Sequence, residues 1–171
     1  DATRDIGYTD MPEYTAGLNT GFSWKNFDFS MQWTGAWNVD RMLDEFRRPL
    51  GDTNEKGLLL YQYDTTWRSS ADTFTAKFPR TSSLHASNNY AGSDLYLINA
   101  SYLRLKSVEI GYNFNFPFMK KLKMDNCRLY VNGYNLITIT GFKWGDPESR
   151  QSSRPNYPLT RVFNIGLKLG F

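Results

Sequence analysis

The sequence predicts an all-β fold: the C-terminal strands of a large transmembrane antiparallel β-barrel with long extracellular loops. Three observations predict it. Apolar and polar residues alternate with period two over runs longer than ordinary strands. Aromatic residues stand at the ends of those runs, and the connections between runs alternate between short and long.

The first run, Tyr14 to Trp24, sets Tyr14, Ala16, Leu18, Thr20, Phe22 and Trp24 on one face against Thr15, Gly17, Asn19, Gly21 and Ser23. After the Lys25-Asn26 link the pattern restarts, with Phe27, Phe29, Met31, Trp33, Gly35 and Trp37 opposing Asp28, Ser30, Gln32, Thr34, Ala36 and Asn38. A third run places Val108, Ile110, Tyr112, Phe114 and Phe116 against Ser107, Glu109, Gly111, Asn113 and Asn115. Arg128–Ile137 is a strand by composition, but its faces are ambiguous because Tyr130 and Tyr134 oppose Leu129 and Val131. The last run gives Phe163, Ile165, Leu167, Leu169 and Phe171 against Asn164, Gly166, Lys168 and Gly170.

Length separates these runs from the strands of a β-sandwich. About 11 residues at ~3.3 Å each reach ~36 Å, which a tilt of ~45° projects to roughly 25 Å, the height of the apolar band on a membrane barrel. Sandwich strands are typically about 5–6 residues. Tyr14, Trp24, Phe27, Trp37, Tyr112 and Phe171 stand where the two membrane–water interfaces would hold aromatic rings.

The short links, Lys25-Asn26 and Pro117–Asn126, are read as periplasmic turns; the long ones, Val39–Ser101 and Thr138–Leu159, as extracellular loops. That orientation ends the chain, at Phe171, in the periplasm. About five strands cannot close a barrel, since natural ones start at about 8, and open edges are not tolerated in hydrocarbon. Residues 1–171 are therefore expected to be the C-terminal part of a barrel domain, with its plug and N-terminus lying outside this chain. Within the first long loop, Asn38 is expected to cap a short helix carrying Val39, Met42, Leu43 and Phe46 on one side and closed by Pro49.

Composition narrows the function classes. Aromatic residues make up 16% of the chain although its mean hydropathy, -0.55, is polar, an odd pairing for a soluble domain. A net charge of +3, with one basic cluster at Lys120, Lys121 and Lys123, gives no footprint for nucleic acid. One cysteine, Cys127, and one histidine, His85, give neither an internal disulfide nor a metal site. No Gly-rich phosphate loop or HExxH pair is present. Asp146 and Glu148 flank Pro147 and have the chemistry to bind a cation or to act as acid and base, but an Asp-Pro turn is the simpler use. No catalytic residue, metal ligand or cofactor is assigned, and the chain is not read as an enzyme. Trp67, Tyr90, Tyr96 and Trp144 are weak candidates for stacking on a substrate ring, as is Trp37, with loop packing as the plainer role for each.

Several ordered stretches resemble one family, the SusC/RagA-type TonB-dependent transporters. "SDLYLINASYLRLKSVEIGYNF" (Ser93–Phe114) is similar to the segment those proteins carry into one of their last strands, with a Ser101-Tyr102-Leu103-Arg104-Leu105-Lys106 core and then Gly111-Tyr112. "RLYVNGYNLITITGFKWGDPE" (Arg128–Glu148) resembles their Asn-Leu strand and Asp-Pro-Glu loop, and "YPLTRVFNIGLKLGF" (Tyr157–Phe171) their ending. Phe78–Arg80 and Trp67 are similar to parts of the same family's long loop. The chain departs from the pattern at Trp67–Asp72, where a Trp-Thr-x-x-Asn-Pro run is expected, and at Tyr134, where Gln is common.

The resemblance implies a plugged barrel of about 22 strands. It implies an outer-membrane importer of oligosaccharides or peptides, acting with a SusD-like surface lipoprotein and driven by the TonB complex through the plug. It also implies that Phe163, Ile165, Leu167, Leu169 and Phe171 form a signal read by the barrel-assembly machinery, and that one face meets outer-membrane lipid. A competing reading is a secreted β-sandwich carbohydrate-binding module, which also shows alternation and exposed aromatics. An apolar strand running to a terminal aromatic argues against it.

Overall fold

Period-two alternation needs a ladder partner for every strand, and the chain supplies one for each long run. The computed structural model describes residues 7–43, 59–81, 89, 91–115, 117, 123–149 and 159–171. In chain order the strands are β1 (Tyr14–Trp24), β2 (Phe27–Trp37), β3 (Asp40–Met42), β4 (Leu97–Asn99), β5 (Tyr102–Phe114), β6 (Asn126–Thr140) and β7 (Val162–Gly170). A five-stranded sheet runs β1-β2-β5-β6-β7, antiparallel throughout, and β3 pairs with β4 in a small second sheet. β1 and β2 coincide with the first two alternating runs, joined by a two-residue turn in which Lys25 takes a φ of 54°.

Register makes the two faces continuous. Phe22 lies opposite Phe29, Phe29 opposite Ile110, Ile110 opposite Val131, and Val131 opposite Ile165. One pleat away, Gly21, Ser30, Glu109, Asn132 and Asn164 line up across the same five strands. One face is thus an apolar sheet-wide band and the other a polar wall. Ile165, 75% exposed, and Phe163, 71% exposed, belong to the apolar face and have nothing packed over them among the described residues. No second sheet lies against this layer there, so the sandwich alternative is set aside: its core needs a facing sheet.

The ambiguity of β6 has a structural cause. Ser107 pairs with Tyr134 but Leu105 pairs with Ile137, so Lys106 is extra on β5 while Asn135 and Leu136 are extra on β6. Asn135 takes a φ of 54° to accommodate the bulge. The bulge resets the phase, which puts Leu129, Val131, Ile137 and Ile139 on the apolar face and Arg128, Tyr130, Tyr134 and Thr138 on the polar one.

The buried core lies in the long loops rather than in the sheet. Val39, Leu43, Phe78, Tyr96, Ala100 and Phe142 form it, with Met42, Tyr61, Ile98 and Trp144 packed against them. A short helix, α1 (Leu60–Thr65), and the bridge between Thr66 and Phe78 complete this cap. The helix expected after Asn38 does not form as expected. Asn38 sits at a φ of 54° rather than as a cap, and Asp40–Met42 pairs with Leu97–Asn99. Val39, Arg41 and Leu43 then share the inward side of an extended segment, so burial and a ladder partner override the helical spacing. Phe46 and Pro49 lie outside the described residues. No described helix is long and apolar enough to cross a membrane.

Candidate functional site

Two polar constructions stand on the inner, polar side of the sheet. Near the Lys25-Asn26 turn, Arg128 on β6 reaches across β5 to β2. Its guanidinium is paired with the Asp28 carboxylate and donates to Glu109 Oε1 at 2.7 Å. Asn132 donates to Glu109 at 3.2 Å, and Asn164 donates to Asn132 at 2.9 Å, carrying the network onto β7. Glycine makes room for it: a Cβ on Gly111 would meet the Arg128 guanidinium and the Asp28 carboxylate. The side chain of Tyr130 likewise lies over Gly166.

At the long-loop end, Arg104 of β5 joins the strand to the loop that follows β6. Its guanidinium donates to Asp146 Oδ1 at 2.7 Å, to Glu148 Oε2 at 2.6 Å and to Thr138 Oγ1 at 3.1 Å, over the ring of Tyr102. Asp146 also accepts the Glu148 backbone N–H at 2.8 Å, which tightens the turn at Pro147. Arg41, buried in the cap, donates to the Asp10 and Pro147 carbonyl oxygens. Asp40 accepts the Tyr8 backbone N–H at 2.8 Å. Asp146 and Glu148 are therefore anchors of a folded loop. Lys106, Asn135, Asp146, Glu148, Ser149 and Leu159 line a cavity of about 360 Å³ at the double bulge. No group of three or more metal-ligating side chains occurs among the described residues.

The aromatic candidates divide. Tyr96 is 1% exposed, stacks on Phe78 and donates its hydroxyl to the Asn89 carbonyl, so its ring faces no ligand. Its place in the core corrects its candidacy as a stacking platform; the sequence carried no signal of burial because Tyr96 sits in a short 3₁₀ turn without periodicity. Trp144 is half-buried with its ring 4.6 Å from that of Tyr61. Trp67 is half-buried, and its backbone N–H donates to the Phe78 carbonyl oxygen at 2.9 Å. Tyr90 and His85 lie outside the described residues. Sequence reading passed over Arg104 and Arg128 as pairing hubs, although an arginine at a lumen-phase strand position was a legible sign.

A single antiparallel layer, apolar on one side and polar on the other, with its packed core confined to a loop cap, defines a stretch of membrane-barrel wall. Comparison with known proteins finds relatives along nearly the whole chain. The chain is 29% identical over 187 residues to TonB-dependent receptor P3 of Formosa agariphila, covering 99% of this chain and 17% of that protein. It is 28% identical over 157 residues to TonB-dependent receptor SusC of Bacteroides thetaiotaomicron, covering 91% of this chain and 15% of that protein. Among solved structures it superposes on the RagAB peptide importer in its open-open state with a TM-score of 0.74 at 21% identity, over 96% of this chain and 18% of that one. No family model matches the chain. The chain is similar along nearly its whole length to a stretch of SusC/RagA-type TonB-dependent receptors, and its fold is that of strands from a large antiparallel β-barrel. It spans less than a fifth of the length of these relatives, which are receptors and transporters rather than enzymes.

Proposed function

We propose that the chain forms part of the wall and outer cap of a TonB-dependent importer of oligosaccharides or peptides. One observation carries this reading: the five strands keep one apolar face and one polar face, while Arg104 joins the polar face to a folded loop at the long-loop end. A lumen lined by Asn, Ser, Thr and paired charges suits the passage of polar solutes. The cap offers exposed apolar groups, Leu60, Tyr63 and Phe74, as a surface for a SusD-like lipoprotein lid. On this reading the loops are extracellular, the Lys25-Asn26 turn is periplasmic, and a plug outside this chain receives energy from the TonB complex. The outward residues Phe163, Ile165, Leu167, Leu169 and Phe171 then serve as the signal for the barrel-assembly machinery.

The test is uptake by the host strain carrying or lacking the whole gene, measured with a panel of labelled oligosaccharides and peptides. Import of at least one member should vanish with the gene and return with its complement. A surface lipoprotein should co-purify with the detergent-solubilised protein. Unchanged uptake across the panel would refute the importer reading.

A further inference from the structure

We infer that Arg41 and Arg104 grip the Asp146-Pro147-Glu148 turn from two sides and so couple the sheet to the strap of residues 8–13 that leads into β1, making turn, strap and β3 shift as one body. The turn is stiff in itself. Asp146 Oδ1 accepts the Glu148 N–H at 2.8 Å, and the Asp146 carbonyl oxygen accepts the Ser149 N–H at 3.1 Å and the Ser149 hydroxyl at 2.9 Å. Arg104 holds the two carboxylates from the sheet, at 2.7 and 2.6 Å. Arg41 holds the backbone from the cap. Its Nη2 donates to the Pro147 carbonyl oxygen at 3.4 Å, 106 residues away in sequence, while Nη1 of the same guanidinium donates to the Asp10 carbonyl oxygen.

The strap is laced to the same short stretch that carries Arg41. Tyr8 N–H donates to Asp40 Oδ2 at 2.8 Å, and Asp40 N–H to the Thr9 carbonyl oxygen at 3.1 Å. Glu13 N–H donates to the Asn38 carbonyl oxygen at 3.3 Å, and the Asn38 amide returns a bond to the Glu13 carboxylate at 2.9 Å. Behind these bonds, Val39 and Leu43 are buried in one cluster with Phe142, and Trp144 packs against it, just ahead of the turn. Hydrogen bonds on one side and apolar packing on the other thus run from strap to turn through residues 38–43.

Arginine suits this position because its planar guanidinium carries several donors in a fixed fork, so one side chain spans two carbonyl oxygens of different segments. Arg41 is only 6% exposed, so withdrawing it leaves those oxygens short of a donor where water has poor access. Arg104 makes no hydrogen bond or ion pair with the strap among the described residues. Any effect of Arg104 on the strap therefore passes through the turn and Arg41. A ligand or partner that displaces the turn moves the entry into β1 by the same line.

The experiment is hydrogen exchange on the whole protein, extracted from membranes in mild detergent, comparing wild type with Arg104→Met, Arg41→Met and the double variant. Arg104→Met should raise exchange several-fold in 8–13, at the Tyr8 and Glu13 amides, as well as in 141–149, and leave β7 unchanged. Arg41→Met should loosen the same two segments, and the double variant should add little to either single one, because each breaks the same line. Adding Asp146→Asn and Glu148→Gln to Arg104→Met should return protection to turn and strap together. If Arg104→Met fails to assemble or loosens β7 as well, Glu148→Gln, at the more open position, decides: both segments should rise together by a smaller amount. A strap that keeps wild-type exchange while the turn loosens overturns the inference, since the two pieces are then independent. So do single effects that simply sum in the double variant, and so does a turn left unchanged by every one of these substitutions.

Discussion

Arg104 and Asp146, distant in sequence, meet at 2.7 Å with the arginine side chain only 2% exposed. Glu148 completes the pairing at 2.6 Å from a more open position, 41% exposed. Removing the arginine leaves Asp146, 10% exposed, charged and poorly solvated, and breaking such a buried pair costs about 3–5 kcal/mol. Arg104→Met should therefore release the loop around Pro147 from the wall. Hydrogen exchange should rise across 141–149 and leave β1 and β2 unchanged. The triple variant Arg104→Met, Asp146→Asn, Glu148→Gln removes every charge and should recover part of the protection. Equal exchange in Arg104→Met and wild type would show that the pairing does not hold the loop.

The cap contains a turn built on Asp72. Backbone N–H groups of Ser69 and then Arg68 donate to its carboxylate at 2.9 and 3.0 Å, and they hold its pKa below the ordinary carboxylate value. A carboxylate depressed on folding stabilises the turn above its unfolded pKa of about 3.9 and loses that effect as pH falls through the folded value. Protection of the 69–76 segment should hold from neutral pH to near pH 4 and fall below it. Asp72→Asn should flatten that dependence. An identical acid profile for Asp72→Asn and wild type would locate the titration elsewhere.

Leu167 and Asn164 lie on opposite faces of β7. Leu167, 59% exposed, sits opposite Leu129 in the apolar band, whereas Asn164 donates to Asn132 on the polar wall. An arginine on the lipid face near the midplane costs about 2–4 kcal/mol. Leu167→Arg should lower the amount of assembled protein in the membrane much more than Asn164→Arg. A comparison of heat-modifiable band shifts on gels checks this, and equal tolerance would mean the faces are misassigned.

The sheet was legible in the sequence because the bilayer and the lumen impose strict alternation on each strand. Tyr14–Trp24 and Phe27–Trp37 could be read to the residue, since nothing interrupts their phase. Phase arguments failed where a second strand altered it: the extra Lys106 on β5 and Asn135-Leu136 on β6 are properties of a pairing, which a single run does not display. The cap was less legible for a related reason. Val39, Met42 and Leu43 have helical spacing, but the choice between helix and strand was made by Leu97–Asn99, far along the chain. The turn at Asp146-Pro147 was legible, but the pairing of Asp146 and Glu148 with Arg104 was not, because it depends on Arg104 standing across from Thr138 on a separate strand.

Phe171 follows β7 with 81% of its surface exposed, in line with Phe163, Ile165, Leu167 and Leu169 on the outward side. Two roles fit an aromatic there. As an interfacial anchor it would steady the strand end after insertion, and its loss would lower thermal stability without changing the amount inserted. As part of a signal read by the assembly machinery it would act before insertion, and its loss would lower the amount inserted without changing the stability of what does insert. The proposed signal role requires the second pattern. Phe171→Ala in the whole protein should reduce the outer-membrane level several-fold while the inserted fraction melts at the wild-type temperature. Phe163→Ala, at the far end of the same outward row, should have a smaller effect on level. Normal levels with a lowered melting temperature for Phe171→Ala would assign the ring to anchoring and remove it from the signal.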